Sequence, residues 1–143
     1  MFDKSKFKTY PLAKDELIVA ISSEHKLSQR DKLTLNDIKN ENFILMNPYT
    51  SIYKLCINKL KENNIDANII RTARTESIIG SVAINEGISL LPKSNFEVFH
   101  QKNINTISLK PQIALSVVLA KHKKTASNIA IKEFIKFVDT ITN

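Results

Sequence analysis

Val82-Ala83-Ile84-Asn85-Glu86-Gly87-Ile88-Ser89-Leu90-Leu91-Pro92 is the stretch whose reading decides the fold. Ile78, Ile79, Val82 and Ala83 recur at helical spacing into it. Asn85 and Gly87 are the two residues there that best tolerate the positive φ a chain often needs on leaving a helix. Ile88, Leu90 and Leu91 then form an apolar run too short for a helix before Pro92. The segment therefore reads as helix, tight turn and a short strand buried on both faces, the joint expected where helices cover a parallel sheet.

Working outward, the same alternation repeats. Leu17-Ile18-Val19-Ala20-Ile21 and Phe43-Ile44-Leu45-Met46 read as buried strands. Ile65 to Ile70 reads as a third, leading to the central helix with Thr72 and Thr75 as candidate caps. Between the second and third strands a helix carries Ile52, Leu55, Cys56 and Leu60 on one face, capped by Thr50 or Ser51. Thr34 to Ile38, with Leu33, Leu35 and Ile38 apolar, predicts one or two helical turns, and a short helix follows Pro92 through Phe96 and Val98. Ile104 to Leu109 predicts a half-exposed strand and Ala114 to Ala120 a separate buried one. Thr125 or Ser127 is expected to cap a last helix with Ile131, Phe134, Ile135 and Val138 on its apolar face. Residues 1 to 14 read as a polar arm. The predicted class is α/β, a mainly parallel twisted sheet with helices on both faces.

Composition narrows the function. The chain has 143 residues, 43% hydrophobic and 24% charged, as in an ordinary globular domain. No apolar run would span a bilayer, and Met1 to Lys6 lacks the apolar core of a signal peptide. Cys56 is the sole cysteine and falls on an apolar helix position, so it reads as a core residue in a reducing, cytoplasmic setting. The formal net charge is +7, but the lysines are spread along the chain and interleaved with acids. The densest group, Lys121, Lys123 and Lys124 around His122, is short and gives no stacking platform for nucleic acid.

Chemistry is sparse. His25, His100 and His122 stand far apart, and none lies at metal-ligand spacing from another His or Cys, so no metal or cofactor is expected. Two glycines, Gly80 and Gly87, cannot make a phosphate loop or a dinucleotide fingerprint. Ser23 and His25 with an Asp read better as a solvated loop than as a triad. The expectation is a binding domain and not an enzyme. In open α/β sheets ligands sit beyond the carboxyl ends of strands, against helix N-termini. Two loops qualify, giving Asn47, Tyr49, Thr50 and Ser51 on one and Thr72, Thr75 and Ser77 on the other as candidate effector-binding residues. Glu76 sits in the first turn of the second helix, where the dipole favours an anion.

The ordered set of segments resembles the effector-binding domain of LysR-type transcriptional regulators. Leu17 to Ile21 followed by His25-Lys26-Leu27-Ser28 is similar to that family's strand and "HPLA" segment, with Lys26 in place of Pro. Leu33-Thr34-Leu35-Asn36-Asp37-Ile38 resembles "v-x-L-x-D-L", and Asn42-Phe43-Ile44-Leu45 resembles "pFI". Val82 to Pro92 resembles "VaaGxGIxxLP", with Asn85 standing for the first Gly, and the segment from the last strand through Thr125 to Phe134-Ile135 is similar to the family's close.

The resemblance implies one lobe of a type 2 periplasmic-binding-protein-like domain. Residues 1–16 would be the tail of a first lobe and crossover, 17–121 the second regulatory lobe, and 122–143 a helix that returns to the first lobe. The two loops would then line the effector cleft, and the helix from Ile52 to Lys61 would contribute to an antiparallel dimer. The implied partners are a small, anionic metabolite and further copies of the chain. DNA would be met only through a winged helix-turn-helix absent here, and no membrane is implied. The rival readings are a solute-binding lobe of a transport protein and a small enzyme on the same scaffold.

Overall fold

The computed structural model describes residues 4–99 and 101–142. Six strands and four α-helices alternate through much of the chain: β1 (Phe7–Ser22), β2 (Lys32–Leu33), β3 (Asn42–Met46), α1 (Ser51–Glu62), β4 (Asn68–Ala73), α2 (Thr75–Ala83), β5 (Ser89–Pro92), α3 (Lys93–Val98), β6 (Ile104–His122) and α4 (Ile129–Thr142). The chain divides into two units, Glu16–Ala114 and a second made of Met1–Asp15 with Leu115–Asn143.

In the larger unit β1 pairs with β5 antiparallel, while β2 pairs with β6, and β3 with β4, in parallel. The strand order is β2-β6-β1-β5 in one sheet and β3-β4 in the other. Ile88 joins them: its N–H donates to Asn42 O and its carbonyl accepts from Ile44 N–H, both at 2.9 Å. The α/β class read from the sequence is the one observed; β1 runs antiparallel to β5, and the bonds from Ser23 N–H to Asn103 O and from Lys123 N–H to Lys6 O at its two ends make it antiparallel to β6 as well. All four residues of β5 are buried, as the apolar run before Pro92 implies. Ile18, Ile44, Ile78, Ile79, Val82 and Leu91 form one core between the sheet and α2, joined by Phe96 of α3. Cys56 is buried, and removal from water pushes its thiol up to about 12, so it is an inert core residue.

The turn after α2 corrects one detail. Asn85 takes φ 58°, while Gly87 has no positive φ. Gly87 is needed for another reason: a Cβ there would sit 2.7 Å from the Asn42 carbonyl oxygen, where the chain comes in to pair with β3.

Other boundaries move. The third strand runs Asn68–Ala73 and not Ile65 to Ile70. Residues 7–14, read as an arm, extend β1. The two strands expected between Ile104 and Ala120 are one, β6, which runs through Lys110-Pro111-Gln112. Its segment 114–120 is half-buried to exposed and not buried, because within its unit the residues of α4 cover it only in part. Asn128, not Thr125 or Ser127, caps α4, its Oδ1 accepting from Ile131 N–H at 2.9 Å. On α4, Val138 is buried but Phe134 and Phe137 are more than half exposed.

Candidate functional site

The parallel register Leu45↔Thr72 and Met46↔Ala73 brings the carboxyl ends of β3 and β4 level. Each is followed by a helix, so α1 and α2 both begin at this edge. Between them lies an open cleft of about 350 Å³, lined by Met46, Asn47, Tyr49 and Thr50 from one loop and Ala73, Arg74, Thr75 and Glu76 from the other. A volume of this order is that of small-molecule sites, which run from ~300 Å³ upward.

The two helix starts differ. At α1 the Thr50 hydroxyl accepts from Tyr53 N–H at 3.1 Å and donates to Asn47 O at 2.8 Å, so it is the N-cap that the sequence suggests. Asn47 Nδ2 also donates to the Tyr49 hydroxyl at 3.2 Å. At α2 neither Thr72 nor Thr75 caps. Arg74 occupies the cap position with no side-chain hydrogen bond, and Thr75 is already the first helical residue. Among the described residues the amides of the first turn of α2 therefore have no side-chain acceptor, and they carry the positive end of the helix dipole. Arg74 is exposed and pairs with no carboxylate among the described residues. Thr75 is buried, its hydroxyl accepting from Asn95 Nδ2 of α3 at 3.5 Å.

Of the seven residues singled out from the sequence, the structure brings Asn47, Tyr49, Thr50 and Thr75 to the cleft. Ser51, Thr72 and Ser77 adjoin these in sequence but are not part of its lining. Arg74 is the addition that the search for hydroxyls overlooked. The available signal was a cation in the residue before a helix start. Among the described residues no group of His, Cys, Asp or Glu is placed to hold a metal ion, and His100 lies outside them. No helix among them is long and apolar enough to cross a membrane.

Beyond the cleft, Glu41 is drawn into a polar knot at the resemblance's first motif. His25 Nε2 lies 3.2 Å from one carboxylate oxygen and Lys26 Nζ 2.9 Å from the other. Burial acts to raise the Glu41 pKa, and the hydrogen bonds from Lys26 and His25 outweigh it, leaving it lowered. His25 Nδ1 accepts from Leu27 N–H at 3.2 Å, which fixes the loop after β1.

This arrangement is an α/β lobe with two helix N-termini at one strand-end cleft. The LysR substrate binding domain model matches residues 2–141, and the chain belongs to that family. The effector domain of a regulator is thus favoured over a transport-type solute-binding lobe, and the family is not one of enzymes. The chain is similar to the uncharacterised HTH-type transcriptional regulator YybE of Bacillus subtilis (strain 168), with 35% identity over 80 residues. That match takes in 54% of this chain and 27% of the regulator, so the chain corresponds to a minor part of its relative's length. Among solved structures, the effector binding domain of QuiR in complex with shikimate superposes with a TM-score of 0.86 at 24% identity, covering 99% of this chain and 68% of that one. The Synechocystis PCC6803 CcmR regulatory domain in complex with 2-PG gives a TM-score of 0.86 at 14% identity, covering 96% and 68%. At these identities the likeness is one of fold.

Proposed function

We propose that this chain is the sensing part of a cytoplasmic LysR-type DNA-binding regulator, acts without catalysis, and holds a small anionic metabolite at the β3/β4 cleft. The observation that carries this reading is the start of α2: an unpaired Arg74 beside uncapped first-turn amides, facing a second helix start across the cleft. Such a start is suited to a carboxylate or phosphate group. Glu76 lines the same cleft, so a ligand with one anionic group near Arg74 fits better than one that turns a second towards Glu76. The ligands named for the QuiR and CcmR domains, shikimate and 2-PG, support a small-molecule effector. In the whole regulator the family implies assembly into oligomers, and a separate winged helix-turn-helix would read the promoter.

The test is a thermal-shift screen of the chain against small carboxylates and phosphorylated metabolites. A ligand specific to the native state raises stability by about 2.7 kcal/mol at one hundred times its Kd. A hydrogen bond to a charged group contributes ~1.5–3 kcal/mol, so Arg74→Ala should weaken a true hit by at least about tenfold. A hit that binds Arg74→Ala and Thr75→Ala as well as the parent chain lies elsewhere and refutes the cleft.

A further inference from the structure

The lysines that look dispersed in the sequence are not dispersed in the fold. The smaller unit holds nine lysines against four acidic residues, whereas Glu16–Ala114 is nearly balanced, with twelve Lys and Arg against ten acids. Within the smaller unit the short turn Lys4–Lys6 before β1 and the turn after β6 lie side by side. Lys123 N–H donates to Lys6 O at 2.9 Å, and the Phe7 and His122 rings meet edge to face at 5.2 Å between centroids. Lys8, Lys123 and Lys124 are exposed, and no carboxylate among the described residues pairs with them. Lys8 Nζ is steadied over the Tyr10 ring at 5.2 Å, and Lys121 Nζ donates to the Ser127 hydroxyl. The nearest acid of α4 by sequence, Glu133, is already bound to Lys136 at 2.7 Å.

We propose that this lysine ridge, Lys8 with Lys121, Lys123 and Lys124, docks on the phosphate backbone of duplex DNA. The inference rests on reading the chain as part of a DNA-bound regulator. Charge complementarity argues for a polyanion, and lysines without arginines or base-reading side chains argue for phosphates and not base edges. Phe7 is engaged with His122 and the Tyr10 ring is covered by Lys8, so neither ring is free to stack unpaired bases, which favours a duplex over a single strand. The ridge would then add a sequence-independent hold that falls with salt.

The experiment measures binding of this 143-residue chain to a fluorescent 30-base-pair duplex of scrambled sequence by anisotropy, at 50 and 200 mM salt. Four phosphate contacts predict a slope of log K on log salt of about −3.6, roughly a hundredfold loss over that range. Replacing Lys8, Lys123 and Lys124 with Glu should weaken binding at low salt by more than tenfold and flatten the slope. Replacing Lys39, Lys61 and Lys102 with Glu makes the same charge change on the other unit and should alter binding by about twofold or less. Circular dichroism checks both folds. If the first variant unfolds, Lys123→Gln with Lys124→Gln, both in an exposed turn, should still weaken binding by at least threefold.

Equal weakening by the two triple variants, absent or salt-independent DNA binding, or binding to phosphatidylserine vesicles in place of DNA would each overturn the proposal. None of these outcomes bears on the ligand screen at the β3/β4 cleft, so the two readings fail separately.

Discussion

Glu16–Ala114 and the unit built from the chain's two ends use apolar residues in opposite ways. In the first, Leu17 to Ile21, Phe43 to Leu45, Ile78, Ile79 and Leu90 are sealed from water. In the second, Val138 is the one large apolar side chain buried among the described residues, while Val117, Ile129, Phe134, Phe137 and Ile141 are exposed by 46% to 80%. The apolar face of α4 is nonetheless as plain in the sequence as that of α1 or α2. Periodicity therefore shows which face of an element seeks cover, and only the fold shows whether this chain supplies it. Apolar burial contributes ~25 cal/mol per Å², so nearly all of the chain's hydrophobic stability must come from the first unit.

The sharpest way to break this contrast is a pair of truncations. Phe43→Ala removes a fully buried ring and should cost about 3–5 kcal/mol, enough to unfold a marginal domain. Phe134→Ala, at a residue 54% exposed, should cost about 1–2 kcal/mol by the area it loses. Urea unfolding followed by circular dichroism reads both, and equal losses would mean that α4 is covered in solution.

Next comes Gly87→Ala, whose Cβ would press on the Asn42 carbonyl at 2.7 Å and should destabilise by about 1–3 kcal/mol through the β3 pairing. Thr50→Ala removes the α1 cap and should cost about 1 kcal/mol, with Thr50→Ser recovering most of it. Ser89 has a buried hydroxyl with no hydrogen-bond partner among the described residues, so Ser89→Ala should be neutral or mildly stabilising.

The smallest effect is one of pH. The Asp37 carboxylate accepts from Thr34 N–H and from its hydroxyl, both at 2.7 Å. These bonds, the backbone one foremost, lower its pKa. A carboxylate held lower in the folded chain adds stability above its unfolded pKa of about 3.9, and that increment disappears as pH falls through the folded value. Thr34→Ala removes the hydroxyl bond and keeps the stronger backbone one, so the Asp37 titration, followed by NMR, should move only part of the way back to the ordinary range.

Much of this was legible from residues alone, for reasons that can be named. Asn85 in place of glycine announces a left-handed turn because its side chain tolerates that conformation. Thr50 announces a cap three residues before the amide it binds. Gly87 was misread because its role is a close approach to Asn42, 45 positions away, which no local pattern carries. The split drawn in β6 failed at Lys110-Pro111-Gln112, a polar, proline-bearing patch that reads as a break yet lies exposed within a strand that continues. Arg74 was missed because helix caps advertise themselves through hydroxyls and carboxylates, and the cap position of α2 carries neither. The lysine ridge was invisible for the plainest reason: Lys8 on β1 and Lys123 after β6 are 115 residues apart, and only strand order makes β1 and β6 neighbours.

Strand order also sets a timetable. β1 is flanked by β6 on one side and β5 on the other, so its apolar run Leu17 to Ile21 is synthesised before both of its neighbours, the last two strands of the chain. At roughly 5–20 residues per second, the ribosome needs about 4–14 s after Ile21 before Pro92 exists to pair with Leu17, and longer before β6 does. Throughout that interval Leu17 to Ile21 is an unpaired β-branched segment of the kind that seeds aggregation. Nascent chains stalled before Ser89 should therefore be held by chaperones, and chains released there should be insoluble. Release after β6 should end that dependence.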